Sequence, residues 1–205
     1  MLSLGRIFFA LLTVAAIVTQ LADLAGKGVL NPVSYFSYFT IDSNLIAVAV
    51  LTLGAAGWLG IAPATVDLLR GSAVVYMSVT GIVFTLLLSN TDVDTAIPWV
   101  NTVVHELMPL VIVADWLLDP PSERLSMRRG LLWLSFPLAW IVYTLIRGAL
   151  VGRYPYPFLD PVNGGYGSVA VYCLGILVVM AIVCGLAVGL GNAAGGDRRT
   201  TPGSG

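Results

Sequence analysis

The sequence predicts an all-α polytopic membrane protein, a bundle of six transmembrane helices. Three observations predict it. Of 205 residues, 58% are hydrophobic and only 10% are charged, whereas a soluble domain carries about 25% charge. The mean hydropathy is +0.91. The charges fall mostly in short clusters between apolar runs of about 18 residues or more, the length that crosses a hydrocarbon core roughly 30 Å thick. A net charge of -1 and the lack of a basic domain give nucleic-acid binding no support.

The first span covers residues 4–25. Arg6 ahead of an apolar core resembles a signal peptide, but the core is too long, and Gln20 and Asp23 precede no small-x-small cleavage site, so the span is expected to be retained. The second span covers 33–61: Asn31 supplies an N-cap, Pro32 suits the first helical position, and Pro63 ends the run. The third covers 66–88, followed by a polar turn at 89–94. The fourth covers 97–118, opened by Pro98 and Trp99 and stopped by Asp119, Pro120 and Pro121. The fifth covers 130–151, after a loop bearing Arg124, Arg128 and Arg129. Tyr154-Pro155-Tyr156-Pro157-Phe158-Leu159-Asp160 is too rich in proline for a helix and reads as an ordered cap at the membrane interface. The sixth span covers 168–190, so the membrane domain is 1–191, and the Gly, Thr and Arg tail at 192–205 is expected to be disordered.

Six spans place both termini on one side. That side collects Arg6, Arg70, Arg124, Arg128, Arg129, Arg198 and Arg199, against Lys27, Arg153 and the membrane-embedded Arg147, which puts both termini in the cytoplasm of a multi-pass cell-membrane protein. Cys173 and Cys184 share one apolar run, roughly 16 Å apart along a helix and beyond disulfide reach.

Two polar intrusions interrupt this apolar pattern: Thr40, Asp42, Ser43 and Asn44 in the second span, and Asn101, Thr102, His105 and Glu106 in the fourth. Polar groups in a membrane are costly enough to carry a presumption of function. Both spans begin at the outer surface, and Thr40 and His105 each lie about eight residues, roughly 12 Å, into their helices. At about 100° per residue, Ser37, Thr40, Ser43 and Asn44 share one face, as do Asn101, Thr102, His105, Met108 and Pro109, while Asp42 points away from Thr40. Pro109 removes the donor to the His105 carbonyl, predicting a kink and a polar pocket at the histidine. The fifth span delivers Tyr143 and Arg147 to the same level. Arg147 either snorkels or meets an anion, with a lipid headgroup, Glu106 and Asp160 as candidates.

A threonine hydroxyl needs an adjacent base to become a nucleophile, and a buried neutral imidazole can accept its proton. Attack on an ester would form an acyl-enzyme, with Asn44, Asn101 or a backbone N–H near Pro109 facing the oxyanion. Other roles compete. Threonine can bond its own helix, the histidine can bridge helices or ligate haem, and Arg147 with Glu106 can form a structural ion pair. The same cluster could also serve a lipid or small-solute binding or transport protein. A lone histidine weakens haem ligation, and the lack of paired mid-depth acids or repeated halves weakens a pump.

The six spans, Phe39-Thr40 with its polar neighbours, Asn101-x3-His105-x3-Pro109 and the Tyr154-to-Asp160 cap together resemble the androgen-induced and androgen-dependent membrane protein family and its bacterial six-span relatives, over the whole chain apart from the tail. The resemblance implies an intramembrane threonine hydrolase that cleaves fatty acid esters of hydroxy fatty acids, with Thr40 at the nucleophile position and His105 at the histidine position. The expectation is therefore an ester hydrolase without cofactor or metal, acting on a membrane lipid or lipid-like ester. Thr40 and His105 would be catalytic, Ser43, Asn44, Asn101 and Tyr143 supporting, and Arg147 would hold the acid end of the substrate.

Overall fold

Apolar length sets the architecture. The computed structural model describes residues 1–89 and 97–200, with backbone alone for 196–200, and all its regular elements are helical. Five helices are long and apolar enough to cross a membrane: Leu2–Gly26, Pro63–Leu88, Pro98–Leu118, Met127–Val151 and Gly165–Gly195. A sixth apolar helix, Phe39–Ala55, has 17 residues, or about 26 Å at the usual rise per residue.

In chain order the elements are α1 (Leu2–Gly26), α2 (Pro32–Tyr35), α3 (Phe39–Ala55) and α4 (Pro63–Val83), the last continued by a π-helical turn, Phe84–Leu88. Next come α5 (Pro98–Thr102), a second π-helical turn (Val103–Leu107), α6 (Met108–Leu118), α7 (Met127–Leu131), α8 (Ser135–Val151) and α9 (Gly165–Thr200). The inner helix is α4, packed against α3, α6 and α9, and its Ala73, Val75 and Met77 are fully buried. In contrast, α8 buries only Pro137, Thr144 and Gly148.

The second span departs from the sequence expectation of one helix over 33–61. Asn31 does cap α2, its Oδ1 accepting the Ser34 N–H at 3.0 Å. The helix nevertheless stops at Tyr35. The Ser37 hydroxyl donates to the Val33 carbonyl at 2.5 Å, and the Trp140 indole N–H donates to the Ser37 carbonyl at 3.2 Å. Side chains thus satisfy carbonyls that the interruption releases. At the other end, Gly57 and Gly60 flank Trp58 and Leu59, whose φ values of 62° and 44° are left-handed, so this stretch is a turn rather than helix.

The last helix also differs: α9 continues to Thr200, through residues expected to form a tail. Asn192 holds it, its Oδ1 accepting the Leu125 N–H at 2.8 Å while its Nδ2 donates to the Leu125 carbonyl at 3.0 Å. Residues 201–205, and the turn expected at 89–94 beyond Ser89, lie outside the described residues.

Two of the cations assigned to the side of the termini, Arg6 and Arg70, are buried. Arg6 Nε donates to Asp115 Oδ1 at 2.6 Å and its Nη2 to Asp119 Oδ2 at 2.7 Å, while Arg70 Nη2 meets Asp115 Oδ2 at 3.1 Å. Arg6 also reaches the Gly54 carbonyl at 3.3 Å, at the far end of α3 from Thr40. The cluster ties α1, α3, α4 and α6 together at that end.

Candidate active site

The interruption before α3 makes Thr40 the second residue of a new helix. The first N–H groups of a helix have no acceptor within it, and that of Thr40 donates to the Tyr156 hydroxyl at 3.2 Å. Thr40 Oγ1 lies 3.3 Å from His105 Nε2 and 3.2 Å from the same Tyr156 hydroxyl. Thr40 and His105 are each 6% exposed. The two residues that shared a depth and a facing direction in the sequence therefore meet.

The proton positions follow from the hydrogen-bond network. His105 Nδ1 is 3.3 Å from the Asn101 carbonyl oxygen, which can only accept, so Nδ1 carries the proton. That leaves Nε2 as an acceptor facing Thr40 Oγ1. With the Thr40 hydroxyl donating to Nε2, the Tyr156 O–H donates to Oγ1 while its oxygen accepts the Thr40 N–H. The contacts at 3.3 Å are longer than a typical hydrogen bond of about 2.9 Å.

Pro109 acts through the π-helical turn. Met108 donates its N–H to Val103, so it does not reach Val104, and the next residue is Pro109, which has no N–H. The Val104 carbonyl is thus deprived of a backbone donor, beside the His105 carbonyl that Pro109 cannot serve either. Asn44 fills the gap: its Nδ2 donates to the Val104 carbonyl at 3.0 Å and to the Thr40 carbonyl at 2.8 Å. Gly81 lets α4 press on this turn, since a Cβ there would lie 3.2 Å from the Pro109 ring and 3.3 Å from the His105 carbonyl oxygen. Phe84, in the other π-helical turn, stacks on the imidazole at 4.3 Å and 19°.

The remaining expected site residues divide. Asn44 clamps the two helices, and both of its amide hydrogens are engaged, so it is not a free oxyanion donor. Asn101 contributes its carbonyl to His105. Ser43 is fully buried, and its hydroxyl has no hydrogen-bond partner among the described residues. Tyr143 reaches Ser37 at 3.2 Å and so supports the interruption rather than the threonine. Arg147 Nη2 donates to Ser34 Oγ at 2.9 Å, a partner outside the expected set of headgroup, Glu106 and Asp160.

Sequence reasoning missed Tyr156, which it placed in an interfacial cap. The available signal was a tyrosine fixed between Pro155 and Pro157 in a run unable to form a helix. The cap folds inward and buries this phenol, and burial pushes its pKa up to about 12.

Two cavities meet at the site. One, of about 190 Å³, is almost wholly apolar and runs from Thr40, Tyr156 and Leu159 past Ile141 and Met180 to Pro137 and Leu138. Its lining includes the exposed Leu138 and Leu174, so it opens on the apolar exterior between α8 and α9. The other, of about 370 Å³, is also walled mostly by apolar side chains but carries the polar groups of Gln20, Asn31, Ser34, His105 and Arg153. Thr40, Tyr156 and Leu88 line both. Arg153 makes no ion pair among the described residues, and it lines this second cavity where Arg147 does not. Among the described residues, no three His, Cys, Asp or Glu side chains gather as metal ligands. No family model, curated protein or solved structure matches the chain.

Proposed function

We propose that the protein is an intramembrane hydrolase of lipid-like esters, with six spans, both termini in the cytoplasm, Thr40 as nucleophile and His105 as base. The observation that carries this reading is Thr40 Oγ1, 3.3 Å from an acceptor nitrogen of His105, on a wall shared by two cavities. In the first step the Thr40 proton moves to His105 Nε2 as Oγ1 bonds the ester carbon. The alkoxide then leaves with that proton, and water, activated by the same nitrogen, releases the acid and restores Thr40.

The cavities suggest how an ester would lie. The acyl chain occupies the almost wholly apolar cavity, entering sideways from the lipid, and the alcohol half occupies the one that carries polar groups. An acyl chain gains little by leaving a lipid for an apolar cavity, because lipid tails are as apolar as leucine. Affinity must then come from the polar half, where a hydrogen bond to a charged group contributes about 1.5–3 kcal/mol. Arg153 takes over the role assigned to Arg147 from sequence, and a free carboxylate on the alcohol half, as in fatty acid esters of hydroxy fatty acids, is the group it would hold. The family resemblance belongs to the same proposal.

Labelling of the full-length protein by a fluorophosphonate probe tests the reading. Wild type labels, and Thr40→Ala and His105→Ala do not. Undiminished labelling of Thr40→Ala removes that residue as nucleophile, and silence of the wild type favours a binding or transport role for the same cluster.

A further inference from the structure

We infer that Tyr156 is a catalytic residue, the oxyanion donor whose phenolic O–H holds the ester carbonyl oxygen as the tetrahedral intermediate forms. This rests on Thr40 being the nucleophile. The amide side chain nearest to Thr40 cannot serve, because both hydrogens of Asn44 Nδ2 are directed to backbone carbonyls at 2.8 and 3.0 Å. The Tyr156 hydroxyl stands 3.2 Å from Oγ1. An oxyanion two bonds from Oγ1 comes within the roughly 2.7–3.1 Å that such a donor requires.

Hydrogen-bond accounting gives the phenol one hydrogen for two successive acceptors. The Thr40 N–H occupies a lone pair of the phenol oxygen and so turns its O–H toward Oγ1. When Oγ1 attacks, one of its lone pairs becomes the new C–O bond, its proton goes to His105 Nε2, and the carbonyl π pair moves onto oxygen. Oγ1 is then a poorer acceptor, and the phenol hydrogen bond passes to the adjacent negative oxygen. The phenol keeps its proton throughout. Collapse re-forms the carbonyl, expels the alkoxide with the proton from Nε2, and returns the phenol for the second addition, by water. Position favours this role, since Tyr156 lines both cavities and so faces a carbonyl held at their junction. Its ring is fixed, stacked on Phe158 at 5.3 Å and edge-on to Tyr38 at 5.5 Å.

The test compares wild type with Tyr156→Phe, which keeps the ring and removes the hydroxyl, in the full-length protein. Two readouts are needed: kcat and KM on a long-chain p-nitrophenyl ester, and affinity for a long-chain trifluoromethyl ketone beside its unreactive ether analogue. The ketone adds Thr40 to form a tetrahedral oxyanion, and the ether does not. The expected result is a loss in kcat of about 10²–10³-fold with KM unchanged, matched by a loss in ketone affinity but not in ether affinity. Unchanged kcat, or equal loss of both ligands, overturns the assignment. As a second variant, Tyr156→3-fluorotyrosine preserves shape and strengthens the donor, so ketone affinity rises; no change or a fall overturns the proposal. If wild type turns over no ester and binds ketone no better than ether, the hydrolase reading falls and Tyr156 with it. If wild type does both and Tyr156→Phe behaves identically, only Tyr156 loses its role.

Discussion

Asn44 Nδ2 donates to the Val104 carbonyl at 3.0 Å, supplying from α3 the hydrogen bond that Pro109 cannot make within its own helix. This contact joins the threonine helix to the histidine turn. Asn44→Ala leaves the Val104 carbonyl without a donor, while the Thr40 carbonyl keeps its backbone partner within α3. An unsatisfied buried acceptor costs about 1–3 kcal/mol, so thermal unfolding in detergent is expected to move to lower temperature and Thr40 labelling to slow.

Pro109→Ala restores an N–H where the helix lacks one. The π-helical turn can then revert to α-helix, and loss of its extra residue rotates the preceding segment by about 100°. His105 leaves Thr40. Expected is a drop in Thr40 labelling per folded molecule on the order of 10²-fold; unchanged labelling per folded molecule would show that Pro109 does not hold His105 against Thr40.

Arg153 and Arg147 should separate kinetically. Loss of a hydrogen bond to a charged group, about 1.5–3 kcal/mol, raises KM roughly 10- to 150-fold. Arg153→Gln is expected to show this with esters bearing a free carboxylate and not with their methyl-capped counterparts. Arg147→Gln, which only releases Ser34, leaves KM unchanged for both.

Asp115→Asn removes the carboxylate shared by Arg6 and Arg70, whose side chains are 7% and 4% exposed. Asp119 still pairs with Arg6 at 2.7 Å and Arg70 at 3.6 Å, so the cost stays below the about 3–5 kcal/mol of a wholly uncompensated buried charge. A drop in melting temperature is expected, with the labelling rate per folded molecule unaltered, because the cluster sits at the far end of α3 from Thr40.

Burial pushes the Tyr156 phenol up to about 12, against an ordinary value of about 10. The folded state holds this proton more tightly than the unfolded chain. Its stabilising contribution is therefore complete below about pH 10 and is lost as pH rises toward 12. Melting curves should show wild type losing stability across that window by more than Tyr156→Phe does, while the phenol remains a donor at neutral pH.

The meeting of Thr40 and His105 was legible because polar residues break two apolar runs at similar distances from Asn31-Pro32 and from Pro98, even though the first run is interrupted and Thr40 is the second residue of α3. The helix interruption at 36–38 was not. Its determinants are a serine hydroxyl turning back on Val33 and an indole arriving from α8, and long-range partners leave no local pattern. Tyr156 was hidden for a related reason, since proline excludes helix without saying whether the resulting cap lies flat or folds inward. The pairing of Arg6 and Arg70 through Asp115 was not legible, because counting cations per side ignores where anions sit. The extra turns of α9 depend on Asn192 finding Leu125, an attachment that glycine-rich composition conceals.

Thr40 stands on the wall between an almost wholly apolar cavity and one that carries Gln20, Asn31, Ser34 and Arg153. A long ester enclosed there would be oriented before any bond changed, its greasy end and its wet end each admitted to one side only. Amphiphile shape, more than the identity of the bond being cut, would then act as the entry requirement, and symmetrical apolar esters would be refused for want of a polar end to meet those groups.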